Sequence, residues 1–262
     1  MIHFIKILKI LLPKKLKYIL HKIYFDFLMV VFEKIIISRK LFFYDLELPE
    51  SKGIIDLKTR SLIRHKLYER FEIEAINKLN FWNNNFIDLG SSIGLCSYFV
   101  AKKMNSNFKH ILVEPNKTLL EYSKLLLSVL ENREAVFINL AIGYDSNRML
   151  FDPGNTILSG KLVKYEPNSY LEIVKCTNLK SIIEENKIDS YNILIDIEGM
   201  SFLPIFQEED VFKNCNKLII EEAYSKKFNY EMIKNQLKKL GFKITYYENS
   251  WGSNIIGAEK LQ

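Results

Sequence analysis

The residues of this chain whose types and spacing could do chemistry are carboxylates that sit at the ends of short apolar runs. Asp88 lies in Phe86-Ile-Asp-Leu-Gly-Ser-Ser-Ile-Gly94, Glu114 ends Ile111-Leu-Val-Glu114, and Asp196 and Glu198 lie in Leu194-Ile-Asp-Ile-Glu-Gly199. In an open α/β sheet, the carboxyl ends of the strands are where ligands bind. Asp196 and Glu198, two residues apart, are placed to serve as a general base toward a weakly acidic nucleophile. Their competing use is structural, as caps of the helix that follows Gly199. Glu114 comes twenty residues after Gly94. At that distance a βαβ unit brings an acid to the two hydroxyls of a ribose. Asp88 is expected at the other end of the same ligand, or on water bound to it.

The turn after Asp88 narrows the choice of ligand. Gly90 lets the chain bend sharply and a ligand approach the backbone. Ser91 or Ser92 is expected to cap the next helix, whose free N–H groups attract negative charge, and Gly94 to let that helix pack closely on the strand. A pyrophosphate-binding loop uses G-x-G-x-x-G, whereas this one reads D-x-G-x-x-x-G, with two glycines. That suits a ligand without pyrophosphate but with an amine and a carboxylate, and S-adenosylmethionine is such a ligand. Asn116, after Pro115, reads as a helix N-cap with an adenine contact as its second use. Asn139 and Ala141 stand at the tip of a third strand, where an adenine edge would lie, or a plain strand end.

These residues need strands to hold them. Apolar runs at 86–90, 110–114, 135–140, 191–195 and 217–220 read as buried strands. Helical patterns at 63–79, 93–104, 116–131, 177–186, 202–212 and 228–240 alternate with them. This order implies a parallel sheet with right-handed crossovers. Residues 242–247 and 254–258 close the sheet as an antiparallel pair. Between 148–151 and 171–176, two short strands flank a polar loop at 152–169, of the kind that serves as a lid or substrate loop.

The chain has 262 residues, 48% of them apolar, enough for one large domain and an added segment. Its three cysteines and four histidines are scattered, with no zinc spacing and no disulfide pattern. No metal site is expected, and a reducing cytoplasm is. Residues 1–40 carry a net charge of +7 and the remainder −1. This basic, apolar stretch is divided by Pro13 and interrupted by Lys22, Asp26, Glu33 and Lys34, so it reads as helices and not as a transmembrane span. Two uses stand open: packing against the main domain or a second copy of the chain, and peripheral contact with an anionic membrane surface. Nucleic acid is not an expected partner, because arginines are few and the rest of the chain is neutral. The domain boundary is expected at 60, with a helical N-terminal segment over 1–60 and the ligand-binding domain over 61–262.

Glu69 to Glu74, the glycine turn from Phe86 to Gly94, Val113-Glu-Pro-Asn116, Asn139-Leu-Ala-Ile-Gly143 and Leu194-Ile-Asp-Ile-Glu-Gly199 together resemble the FkbM family of S-adenosylmethionine-dependent methyltransferases. The resemblance spans about residues 65–225, and the D-I-E-G step is its most specific part. It implies a class I methyltransferase (Rossmann-like) fold: a mostly parallel seven-stranded sheet with an antiparallel edge strand, helices on both faces and N-terminal helices in addition. It also implies O-methylation of a sugar hydroxyl, in a cell-surface polysaccharide or glycolipid, in the cytoplasm or at the inner face of the membrane. The cofactor set is then Asp88, Gly90, Ser91, Ser92, Gly94, Glu114, Asn116, Asn139 and Ala141, and the catalytic pair Asp196 and Glu198. Two positions depart from the family's pattern: Ser201, where an acid is usual, and Leu194, where a lysine is common. They keep open a non-catalytic binding module. An NAD-dependent oxidoreductase is the other alternative, disfavoured by the absent third glycine.

Overall fold

The computed structural model describes residues 31, 33–34, 40–51, 53–130, 135–154, 160–163, 171–223, 229–250 and 253–261. The reading of residues 1–40 as helices falls outside these residues, apart from Val31, Glu33, Lys34 and Lys40. The chain divides into two compact units, Met1–Tyr68 and Glu69–Gln262.

In the first unit, β1 (Phe42–Phe43) and β2 (Leu46–Glu47) form a small antiparallel hairpin. Helix α1 (Leu57–Arg64) starts at Asp56, whose carboxylate accepts from the Thr59 N–H at 3.0 Å and the Thr59 hydroxyl at 2.7 Å. Glu33, which interrupts the apolar run in the sequence, is buried. Arg60 and Arg64 reach it from one face of α1, at 3.1 and 2.8 Å. A buried carboxylate requires such pairing, and the two guanidinium groups lower its pKa against the cost of burial.

The helix expected over 63–79 is two helices. The backbone turns left-handed at Lys66 (φ 57°) and again at Glu69 (φ 50°), so α1 ends at Arg64 and α2 (Arg70–Leu79) begins the second unit. There the main sheet is built from β3 (Asn85–Leu89), β4 (His110–Val113), β5 (Ala135–Ile138), β10 (Tyr191–Ile195), β11 (Cys215–Ala223), β12 (Phe242–Ser250) and β13 (Ser253–Lys260). Their order is β12-β13-β11-β10-β3-β4-β5, with β11, β10, β3, β4 and β5 mutually parallel. β13 runs antiparallel to both neighbours. The antiparallel strand expected at the edge therefore lies one place in, and the edge itself is β12, which returns to the common direction.

Between β5 and β10 the chain makes a second, four-stranded sheet from β6 (Ala141–Ile142), β7 (Arg148–Asp152), β8 (Lys161–Val163) and β9 (Glu172–Thr177), in the order β6-β9-β7-β8. β8 falls inside the stretch read from sequence as loop. Its three residues are too few to show a period.

Helices α3 (Leu95–Ala101) and α4 (Lys117–Leu127) adjoin α2 on one face of the main sheet. The other face carries α5 (Leu179–Glu185), α6 (Leu203–Gln207) with a 3-10 turn at Glu209–Asn214, and α7 (Tyr230–Lys239). Strand alternation explains the division. Ile87, Leu89, Ile193, Ile195, Leu218, Ile220, Ile256 and Ala258 belong to the core under α5, α6 and α7. Phe86 and Asp88 alternate with Ile87 and Leu89, and so point to the α2 side. Full burial of each such Ile or Leu stabilises by about 1.5–3 kcal/mol. Among the described residues no helix is long and apolar enough to cross a membrane.

Candidate active site

Four parallel strands, β4, β3, β10 and β11, present their carboxyl ends along one edge, and the residues singled out in the sequence lie there. The turn leaving β3 is tied back to β4: the N–H groups of Gly90 and Ser91 both donate to the Val113 carbonyl, at 2.9 and 3.1 Å. Gly90 has φ +85°, and a Cβ there would overlap the carbonyl of Asp196. Its glycine is therefore demanded by the chain leaving β10. Gly94 (φ +80°) was expected to bring α3 onto the strand. A Cβ there would instead meet the Ser123 Cβ at 2.7 Å, so Gly94 lets α3 pack on α4. The expected serine cap is also absent. Gly94 itself is the N-cap of α3, with no side-chain bond, because Ser92 is spent in a left-handed turn (φ 48°) before the helix starts.

Glu114 joins two loops. Its Oε2 accepts from the Ser92 N–H at 3.0 Å and its Oε1 from the Asn116 N–H at 2.8 Å. Asn116 is an N-cap, accepting from the N–H groups of Thr118 and Leu119 at 3.0 and 3.3 Å. Asn139 donates its amide to the carbonyls of Glu114 and Pro115, at 2.9 and 2.8 Å. Both asparagines thus hold the loop that carries Glu114. Ala141 is buried and opens β6, beside Cys176 of β9.

Asp88 is 1% exposed. Ser97 donates to its Oδ2 at 2.6 Å, and His110 Nε2 lies 3.0 Å from the Ser97 hydroxyl. With Asp88 ionised, this chain fixes the proton of His110 on Nε2. The other Asp88 oxygen and the Ser91 hydroxyl are buried without a hydrogen-bond partner. Burial, partly offset by Ser97, pushes Asp88 up to about 7. Burial likewise pushes Glu114 up to about 7, against its two N–H donors and with the Asp88 charge adding to it. The unfolded chain gives up these protons near pH 4 and the folded chain near 7, so the folded state holds more protons in between and stability falls as pH rises through that window. A tenfold difference in proton affinity is worth about 1.4 kcal/mol. The cofactor-free protein is therefore expected to melt at a higher temperature at pH 5 than at pH 7.5, with a shallower slope in Asp88→Asn. A Tm that climbs steadily from pH 5 to 7.5 would mean that both carboxylates are ionised in the fold.

Asp196 and Glu198 lie just past β10, where the Asp196 N–H still donates to the Leu89 carbonyl at 2.9 Å. Gly199 (φ +74°) turns the chain, and the buried Ser201 hydroxyl clamps the turn, accepting from the Ile197 N–H at 2.9 Å and donating to its carbonyl at 3.1 Å. The capping alternative gains no support: the N-cap of α6 is Phe202, with no side-chain bond there. Burial raises Asp196 well above the carboxylate range, reinforced by the charges of Glu221, Glu198, Glu69 and Asp88. Partial burial and Glu221 push Glu198 up to about 7, opposed by Lys161 of β8. Glu72, buried on α2, is raised in the same way, by burial first and then by the charge and hydrogen bond of Glu221. Glu72 and Glu221 were visible in the sequence only as acids near a strand and at a strand end. Nothing local says that the fold brings them together.

Carboxylates crowded around an unsatisfied Asp88 oxygen fit a ligand with positive charge, which S-adenosylmethionine carries on its sulfonium and amine. Among the described residues no three His, Cys, Asp or Glu are arranged to hold a metal ion. A separate cleft of about 710 Å³, walled by Tyr144, Lys180 and Glu208 among others, shares no residue with this edge. Glu208 is already engaged there, accepting from the Tyr144 hydroxyl and from the N–H groups of Leu179 and Lys180.

Sheet order, glycine turn and acidic edge together define a class I methyltransferase. The chain belongs to the FkbM methyltransferase family, whose domain matches residues 88–244. It is similar to the solved structure of magnesium protoporphyrin IX methyltransferase from Synechocystis PCC 6803 with bound SAM (12% identity, 77% of this chain and 83% of that one, TM-score 0.45). It is also similar to the ribosomal protein L11 methylase of Lactobacillus delbrueckii subsp. bulgaricus (10%, 73% and 78%, TM-score 0.44). A third likeness is to M. capricolum TrmK in complex with S-adenosyl-homocysteine (11%, 72% and 68%, TM-score 0.44). No curated protein matches the chain significantly. The chain is thus an enzyme whose methyl donor is S-adenosylmethionine, which sets aside the oxidoreductase and the non-catalytic module.

Proposed function

We propose that this enzyme methylates a hydroxyl of a sugar, in a cell-surface polysaccharide or a glycolipid, on the cytoplasmic side of the membrane. The observation that carries the reading is the meeting of Asp196 and Glu198 with Glu72 and Glu221 at the carboxyl edge, which raises the proton affinities of Glu72, Asp196 and Glu198. A sugar hydroxyl is a weak nucleophile and must lose its proton as it is methylated. A carboxylate titrating near 7 is matched to taking that proton at neutral pH. The residues that would hold S-adenosylmethionine are the Gly90–Ser91 turn, Asp88 and Glu114. The bound cofactor supplies a methyl group on a positively charged sulfur. Glu114 fixes the two loops beside it through the Ser92 and Asn116 N–H groups, so the turn is set before the acceptor arrives. The resemblance of the D-I-E-G step to hydroxyl-methylating enzymes supports oxygen as the accepting atom.

The test is transfer of a radiolabelled methyl group from S-adenosylmethionine to a panel of sugars, nucleosides, phenols and peptides. Label is expected in a base-stable sugar ether. Label only in an amine or a phenol would remove the sugar reading while leaving the methyltransferase.

A further inference from the structure

The carboxyl edge continues past Asp196 into side chains that the chemistry above does not use. Across β11, β13 and β12, the register sets Glu222 opposite Asn254 and Asn254 opposite Asn249, so three polar residues form one rung. Alternation places Asn254 on the face of Ile256 and Ala258, and Glu222 on that of Leu218 and Ile220. Tyr247, two residues before Asn249, donates its hydroxyl to Asn254 Oδ1 at 3.1 Å, and Asn249 Nδ2 donates to the same atom at 2.7 Å. The Tyr230 ring lies against that of Tyr247, with centroids 4.4 Å apart.

The inner half of this rung is unsatisfied. Glu222 is 1% exposed and Asn254 2%. Yet neither Glu222 oxygen, nor Asn254 Nδ2, has a partner at hydrogen-bond distance. The N–H groups of Ser201 and Phe202 favour the Glu222 charge without closing to that distance. Burial leads in pushing Glu222 up to about 7, and the Glu198 charge adds to it, which places the rung beside the D-I-E-G turn. A buried acceptor and a buried donor, left side by side without partners, are costly to keep. The outer half is open: Asn249 is exposed and Tyr247 is 42% exposed.

A ligand that satisfies this arrangement must donate a hydrogen bond to a carboxylate and accept one from an amide a strand away, while offering a flat apolar face to an aromatic ring. Neighbouring hydroxyls on a sugar do the first two, since each hydroxyl both donates and accepts. The C–H face of the same ring does the third. We infer that Glu222, Asn254, Asn249 and Tyr247 form the acceptor subsite, which grips two adjacent hydroxyls of a sugar ring next to Asp196 and Glu198. The inference rests on the sugar reading above and names the residues that recognise the sugar.

The experiment uses the full chain saturated with S-adenosylhomocysteine and the methyl glycosides of mannose, rhamnose, galactose and glucose, read by saturation-transfer NMR. The glycoside that binds best is then taken into steady-state methylation. Glu222→Gln is expected to raise KM for the sugar by about 10- to 100-fold, the worth of a hydrogen bond to a charged group, and Asn249→Ala by about 3- to 10-fold, the worth of a neutral one. Affinity for S-adenosylhomocysteine should stay at the wild-type value, and kcat should change far less than KM. Should Glu222→Gln fail to fold, Asn249→Ala at the exposed end of the rung decides alone. Wild-type sugar binding and KM in the variants would place the subsite elsewhere and leave the sugar methyltransferase standing. A wild-type enzyme that neither binds nor methylates any glycoside, yet methylates another acceptor, would remove the function first and the subsite with it.

Discussion

Asp196→Asn and Glu198→Gln are expected to lower turnover by about 10²–10⁴-fold in whichever residue is the base, the usual worth of general-base catalysis, with cofactor affinity little changed. Both replacements keep the shape of the side chain and remove its ability to take a proton. Neither should unfold the protein, because neither side chain caps α6. The pH profile separates a base from a mere binding group. Glu198 is pushed up to about 7, so with Glu198 as the base kcat/KM rises tenfold per pH unit in acid and levels off above about 7. Loss of that limb in Glu198→Gln, with the limb intact in Asp196→Asn, would assign the role to Glu198. If both variants keep full turnover, the base is another residue.

Gly90→Val is expected to prevent folding, and so to remove more than cofactor binding. Two costs act together. A β-branched residue at φ +85° sits in a region that L-residues avoid, at roughly 1–3 kcal/mol. Its Cβ would also overlap the Asp196 carbonyl, so β3 and β10 would have to separate where they pair at Leu89 and Ile195. Against a typical total stability of about 5–15 kcal/mol, separating two central strands is not survivable. Gly90→Ala isolates the overlap from β-branching and should fail nearly as badly. Circular dichroism melts of both variants decide the matter: a cooperative transition at the wild-type temperature would show that the β10 exit moves aside freely.

The βαβ rhythm was legible because each buried strand is a short apolar run, and the carboxyl-edge acids were legible because each ends such a run. Asn116 was legible as an N-cap from its place after Pro115, and the structure gives it that bond. What stayed hidden is pairwise. No property of Gly90 in the sequence names the Asp196 carbonyl as its neighbour, and none of Gly94 names Ser123. Glu72 and Glu221 lie far apart in the chain and meet only because α2 packs over the β11 side of the sheet. The break at residues 65–69 was hidden for another reason. Leu67, Phe71 and Ile73 keep an apolar rhythm through it, whereas the left-handed turns at Lys66 and Glu69 leave no mark in hydropathy. β13 read as an antiparallel partner of β12, but its place inside the edge depends on β11, which the hairpin itself does not specify.

The small sheet has its own consequence. β6 and β9 lie side by side, Ala141 beside Cys176 and Ile142 beside Thr177, and the Gly143 N–H donates to the Thr177 carbonyl at 3.0 Å. The stretch between them is thus a cassette clipped at both ends to one point of the frame. Its length and contents are free to vary while the main sheet keeps its register, since joined ends decouple an insert from its host. Lys161, carried by this cassette, acts on Glu198. Exchange of one replaceable part would then retune the reacting carboxylate without touching the strands that hold it, a route by which one frame serves many acceptors.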